Sequence, residues 1–293
     1  MWDFLVSCLN VTTLLLFASI GELLNQRSGV LNVGIEGLML TGAALSFITI
    51  KLTGSFLLGL IVGVAAGGVL GLLHGFLSIT LKVNQVVSGL GIWIFALGFT
   101  AYIAHPYAGP LGMGKLWVRI FGISPFFFIG IAVVFVVWAI LFKTNLGLKI
   151  RSVGEDPLVA EISGIKVERL RYLCVIIGGS LGGLSGAYLA LSYSPIWSFN
   201  PTMGRGWIAL ALVFLSMWKP WFLLAGALLF GTVWQLALSP ELIPLLPTLP
   251  LYFYRMLPFA VTIVVMVLIS MERFRKKWGL AKPAALGLPY IKE

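Results

Sequence analysis

The stretch Arg151–Arg171, RSVGEDPLVAEISGIKVERLR, decides how the rest of the chain is read, because it is the long polar segment of an otherwise apolar sequence. From Lys143 to Arg171 the chain carries six Lys or Arg against four Asp or Glu. Basic residues in loops beside membrane spans mark the cytoplasmic side. The centre of the stretch reads as a short helix. Asp156 suits the N-cap, Pro157 the first helical position and Gly164 the C-terminal stop. Leu158, Val159, Ile162 and Ile165 then make an apolar knob on a wet loop. Such a knob is either a docking point or an ordinary amphipathic connector.

Outside this loop the composition is that of a membrane protein. Of 293 residues 59% are hydrophobic and 10% charged, and the mean hydropathy is +1.03. A soluble domain carries about 25% charged residues. The apolar runs are too long for barrel strands, and a bilayer admits only helices or closed barrels. The fold class expected is therefore an all-α polytopic membrane protein. It has about 8–10 transmembrane segments, some of them short or discontinuous. The net charge of +10 sits mainly in the 143–171 loop and in a tail with Arg273, Arg275, Lys276, Lys277, Lys282 and Lys292. That placement suits anionic lipid rather than nucleic acid. Residues 1–272 thus read as the transmembrane domain and 273–293 as a basic cytoplasmic tail. Cys8 and Cys174 lie in separate apolar stretches and read as packing residues, not a disulfide or metal pair. The opening MWDF has no basic region or cleavage site of a signal peptide.

Residues 4–21 form a first apolar segment, followed by GELLNQRSGVLNVGIEG (21–37), which carries Glu22, Arg27, Asn32 and Glu36. Gly29, Gly34 and Gly37 there permit a broken or re-entrant backbone, tolerated at membrane depth only under protein or beside a cavity. The apolar run 37–50 covers about 21 Å as helix, short of a hydrocarbon core of about 30 Å. Glycines at 59, 63, 67, 71 and 75 form a slowly winding stripe for close helix packing, within the chain or across a dimer. A second small-residue stripe, Gly178, Gly182 and Gly186, marks the span 172–193. Asn84 and Gln85 lie in a turn between spans. His74 and His105 lie on different segments and read as structural. A polar stretch, Asn200–Gly206, leads into a second short run between Arg205 and Lys219. Alternation from the basic 171 and 272 ends gives about nine crossings with the N-terminus outside. Two shortened segments in comparable places in the two halves point to a substrate site near the midplane of a transporter. The competing reading makes both polar stretches surface turns. There is no GxxxxGK[ST] phosphate loop, no HExxH and no GxSxG elbow. Few acids approach membrane depth, unlike an ion-coupled carrier.

Six motifs carry a resemblance: GVLNVGIEGLMLTGA (29–43), VNQVVSGL (83–90), TNLGLKIRSVGEDPLVAEISGIKV (144–167), GRGWIALALVF (204–214), ALLFG (227–231) and PAALGLPY (283–290). In this order they cover nearly the whole chain. As a set it resembles the permease subunits of bacterial ATP-binding cassette (ABC) importers for branched-chain amino acids and simple sugars, above all the shorter permease of nucleoside-type importers. The resemblance implies a coupling helix at 157–163 that docks an ATPase through Gly154, Glu155, Asp156, Pro157, Leu158, Ala160, Ile162, Gly164 and Ile165. It also implies three partners: an ABC ATPase holding the ATP and Mg, a second permease in a heterodimer, and an extracytoplasmic binding protein. This chain itself would carry no cofactor and no catalytic residue. Two positions depart from the pattern: Trp93 replaces a small polar residue and Ser216 a glycine. The expected function is inward movement of a nucleoside by alternating access, with a simple sugar or branched-chain amino acid as alternative cargo. A self-sufficient secondary carrier or channel is the rival from another class. Asn32, Glu36, Asn84, Gln85, Trp93, Asn200, Arg205 and Trp207 are the expected pathway residues.

Overall fold

A computed structural model describes residues 1–112, 120–239, 250–270 and 282–290. Arg273, Arg275, Lys276, Lys277 and Lys292 of the expected tail lie outside them. Eleven α-helices are described: α1 (Trp2–Arg27), α2 (Ile35–Thr53), α3 (Phe56–Gly75), α4 (Gln85–Ala104), α5 (Pro125–Lys143), α6 (Asn145–Glu155), α7 (Pro157–Ile162), α8 (Val167–Tyr188), α9 (Arg205–Leu215), α10 (Pro220–Leu238) and α11 (Leu251–Ser270). Seven segments among the described residues are long and apolar enough to cross a bilayer, and α9 and α11 contribute shorter apolar helices, Arg205–Leu215 and Tyr252–Val267.

The glycine stripes determine the packing. α8 stands at the centre with α1, α2 and α3 around it. A Cβ placed on Gly67 would lie 2.3 Å from Gly179 O, and one on Gly183 would lie 2.3 Å from Gly63 O. Backbones that touch in this way leave no room for a side chain, so the stripe of α3 is used inside the chain, against α8. The other side of α8 meets α1 and α2: Gly178 lies against Gly21 O and Gly186 against Met39 O. Ser185 Oγ donates to Leu14 O at 2.6 Å, and Tyr188 donates to Asn10 Oδ1 at 3.1 Å. Buried polar groups in a bundle core need such partners.

The same contacts set the direction of each pass. Gly75, at the end of α3, touches Tyr172 near the start of α8, while Gly59 touches Ile50 near the end of α2. α3 therefore runs toward the loop end of the molecule and α2 away from it. At the far end, β1 (Gly109–Pro110) pairs antiparallel with β2 (Ile196–Trp197), tying the 105–112 and 194–200 connections together. With the basic loop on the cytoplasmic side, the N-terminus is outside and α11 ends inside.

The structure adds detail to three expectations. The first helix runs beyond the apolar segment 4–21: α1 continues to Arg27, with Asn25 Nδ2 and Gln26 Nε2 both donating to Glu22 in its last turns. The break is confined to residues 28–34. The following helix is also longer than the apolar run 37–50, beginning at Ile35 and ending at Thr53. Its depth still makes it discontinuous, since Ile35 packs on Gly182, about 22 Å along α8 from Val167. Finally, the polar loop is only partly wet. α6 and α7 occupy most of it, with Ile150, Val153 and Ala160 buried in the core, and Arg171 is 1% exposed.

Candidate functional site

Two polar junctions lie on one axis of the bundle, one within the membrane and one at its cytoplasmic face. The first is where α2 and α9 begin. α2 rises from Ile35 toward the outer face. α9 descends from Arg205 toward Trp218, whose carbonyl accepts from Arg27 Nε and Nη2 at the cytoplasmic end of α1. Two oppositely directed helices thus start side by side inside the bundle, and Glu36 joins them. Its Oε1 accepts from Thr202 Oγ1 at 2.5 Å and from Gly204 N at 2.8 Å, and its Oε2 accepts from Gly206 N at 2.5 Å. An acidic side chain over free N–H groups at a helix N-terminus is favourable in charge and in hydrogen bonding. Gly206 must lack a side chain, because a Cβ there would sit 2.6 Å from Glu36 Cα.

Arg205 is 4% exposed and folds back over the aromatic wall. Its guanidinium carbon lies 4.5 Å from the Trp234 ring centre and 5.2 Å from that of Tyr193, with Nη1 donating to Pro201 O at 3.0 Å. Its Nε is buried without a hydrogen-bond partner. Asn200 turns its amide oxygen to Thr202 Oγ1 at 3.0 Å. Asn32, fully buried, accepts from Gly34 N through Oδ1 at 3.0 Å, and its Nδ2 has no acceptor. Trp93 and Trp207 meet edge to face with ring centres 5.4 Å apart. Glu36, Asn200, Arg205, Trp207 and Trp93 are thereby gathered around the start of α9.

Asn84 and Gln85 sit elsewhere, at the cytoplasmic start of α4. Asn84 is exposed and caps that helix by accepting from Val86 N and Val87 N. Gln85 accepts from Leu31 N at 2.7 Å and donates to Leu288 O at 3.4 Å. Both side chains hold backbone in place.

The second junction is built on α7. Asp156 Oδ1 accepts from Leu158 N at 3.0 Å and Val159 N at 3.1 Å, while Pro157 occupies the first turn. Gly164, at φ +81°, ends the helix in a conformation that costs glycine little. Leu158, Val159 and Ile162 are exposed, Ile162 to 87%, whereas Ala160 is buried and Ile165 packs on the core. The apolar knob is thus three residues and not four. Gly154 is buried where a Cβ would meet Arg27 O at 2.2 Å, and Glu155 faces solvent. Beside α7 runs a groove of about 680 Å³ lined by Leu148, Arg151, Ser152, Asp156, Val159 and Ile165 among others.

Residues not expected from sequence connect the two junctions. Glu22 accepts from Asn32 N at 3.0 Å, so α1 holds the broken segment. Arg171 Nε donates to Ser28 O at 3.1 Å. His74 bridges Ser88 Oγ and Leu31 O, each at 3.1 Å, a structural role. Cys8 and Cys174 are free and buried. Thr202 and Arg171 look like ordinary loop or helix-end residues in sequence, because their partners Glu36 and Ser28 are far away along the chain. The described residues hold no cluster of metal ligands.

The family model described as "Branched-chain amino acid transport system / permease component" matches residues 4–266. A Haloferax volcanii protein provisionally named a glucose ABC transporter permease is 40% identical over 82% of this chain and 79% of its own length. A guanosine ABC transporter permease of Bacillus subtilis is 34% identical, covering 95% of this chain and 93% of its own. A nucleoside ABC transporter permease of Lactococcus lactis is 32% identical over 96% and 94%. A solved ABC transporter assigned to the metal-chelate type, in an inward-facing conformation, has the same fold, with a TM-score of 0.55 over 90% of this chain and 85% of that one at 16% identity.

Proposed function

The chain belongs to the family of branched-chain amino acid transport system permease components, and on that premise we propose that it carries a nucleoside inward under the control of a separate ATPase. It is a multi-pass plasma-membrane permease of an ABC importer. The observation that carries the coupling is the form of α7: a helix locked by Asp156 and Pro157 that presents Leu158, Val159 and Ile162 to the cytoplasm beside an open groove. An exposed apolar face on a rigid element is a docking surface. The ATPase, with its ATP and Mg, binds there and hydrolyses ATP on its own chain. A second, unequal permease completes the membrane pair, and an extracytoplasmic binding protein delivers the cargo.

The route runs past the junction of α2 and α9. Opening it parts Glu36 from the N-terminus of α9, and Trp93 and Trp207 offer flat faces to a base or ribose. Glu36, Arg205, Asn200 and Asn32 supply the hydrogen-bonding groups that a polyhydroxylated cargo needs. A nucleoside is favoured over a hexose by the likeness to guanosine and nucleoside permeases along nearly the full chain and by this indole pair. Uptake of labelled guanosine and glucose into cells with and without the chain tests this. Guanosine uptake should fall on deletion and glucose uptake should not. Loss of glucose uptake with guanosine uptake intact contradicts the nucleoside reading and favours the sugar.

A further inference from the structure

We propose that the C-terminal segment Pro283–Tyr290 is a strap that carries motion of the coupling helix to the broken segment 28–34, with Tyr290 as its positioning residue. This rests on the importer reading above. The segment does not trail from the membrane domain. Ala285, Leu286 and Tyr290 are buried, and Leu286 and Tyr290 belong to the core that also holds Val153, Ala160 and Leu170.

One side of the strap holds the α6–α7 corner. Ala285 N donates to Gly154 O at 3.0 Å and Ala284 N to Glu155 Oε2 at 3.3 Å, and the Tyr290 hydroxyl donates to Glu161 Oε2 on α7. Its other side holds the start of the break and the root of α4. Gly287 N donates to Gly29 O at 3.3 Å, and Leu288 O accepts from Gln85 Nε2, whose Oε1 in turn accepts from Leu31 N. The Arg171 guanidinium carbon lies 5.9 Å from the Tyr290 ring centre while its Nε grips Ser28 O. Gly287 has φ +81°, a conformation that favours glycine and turns the strap toward Gly29.

The mechanical sense follows from what lies at each end. α7 is the part an ATPase can push. Residues 28–34 are not helical: Ser28 N and Val30 N bond back to the end of α1, while Leu31 N and Asn32 N are held by the side chains of Gln85 and Glu22, and the segment leads directly to Ile35 and Glu36. A rigid element with hydrogen bonds to both passes displacement from one to the other. Without the strap, α7 still docks the ATPase, but its movement reaches α2 only through the packing of Gly154 on Arg27 and Gly29 and through the connection to α8. Among the described residues, no hydrogen bond then runs from the α6–α7 corner to residues 28–34.

The complex, reconstituted with its ATPase and binding protein, is measured for cargo taken up per ATP hydrolysed. The chains are the wild type, Tyr290→Phe, Glu161→Gln, their double variant and a chain ending at Lys282. The truncated chain should hydrolyse ATP at a rate close to wild type with uptake per ATP reduced at least fivefold. Tyr290→Phe and Glu161→Gln should each lower the ratio, and the double variant should lower it no further than either. Unchanged uptake per ATP in the truncated chain overturns the strap. If the truncated chain does not accumulate, wild-type ratios in both point variants overturn it equally. Absence of ATP-dependent uptake in the wild type would instead sink the importer reading itself, so the two failures are distinguishable.

Discussion

At the residue scale the account turns on Glu36, which receives three donors from the other half of the molecule. Glu36→Ala removes the acceptor from Gly204 N and Gly206 N and leaves Thr202 Oγ1 only Asn200. Each orphaned buried donor costs about 1–3 kcal/mol. The variant should lose several degrees of thermal stability in detergent and most of its uptake, while Glu36→Gln keeps part of both. A thermal-unfolding series on the purified chains checks this, and an alanine variant as stable as wild type would contradict it. Trp207 tests the route. Stacking of a base on an aromatic is worth about 1–3 kcal/mol, so Trp207→Ala should weaken nucleoside transport about tenfold, read as a raised KM. Glu36 and Arg205 stood out in the sequence as charges beside glycine-broken segments. Glu22 stood out as an acid approaching membrane depth but not as the group that holds Asn32. Arg171 did not stand out, because a buried charge at the end of a span has the same local composition as one in water. What buries Arg171 is Ser28, 143 residues away, and Tyr290 beyond it.

At the scale of elements, the glycine stripes and the caps of α7 were readable because they depend on neighbours in sequence. Gly67 lies on the stripe of α3, and the structure sets it against Gly179 and Gly183, the glycines that flank the named stripe of α8, with Gly183 against Gly63 O. Gly183→Leu should therefore force α3 and α8 apart and abolish accumulation in membranes. Gly91, which faces open space, should tolerate alanine. Membrane-fraction immunoblots separate the two outcomes. Asp156→Ala removes a side-chain cap worth about 1 kcal/mol. ATPase co-purification should fall with it, and Asp156→Asn should restore most of the loss. α6 was hidden in what read as loop: of its apolar positions only Ile150 and Val153 are buried, while Leu146 and Leu148 are exposed, so no apolar stripe announces a helix beside so many charges. The helices α1 and α2 extend beyond the apolar runs 4–21 and 37–50 for a related reason. Polar residues in a buried span look like its boundary until their partners are known.

For the whole molecule, with the basic loop on the cytoplasmic side, the opposite directions of α2 and α3 place the 53–55 turn outside and the 81–84 turn inside. The two native cysteines are buried, so a Cys at Thr53 should react with a membrane-impermeant maleimide in intact cells. A Cys at Lys82 should react only after the membrane is opened, and the reverse pattern would invert the topology. The central claim is that this bundle is a conduit worked from α7 by a separate ATPase. Its most direct test is ATP-dependent guanosine uptake into proteoliposomes containing the complex, with wild-type chain or with Leu158→Asp. The account predicts ATP-dependent accumulation for the wild type and a loss of at least tenfold for Leu158→Asp. Uptake that persists without ATP, or that the substitution leaves unchanged, would contradict it.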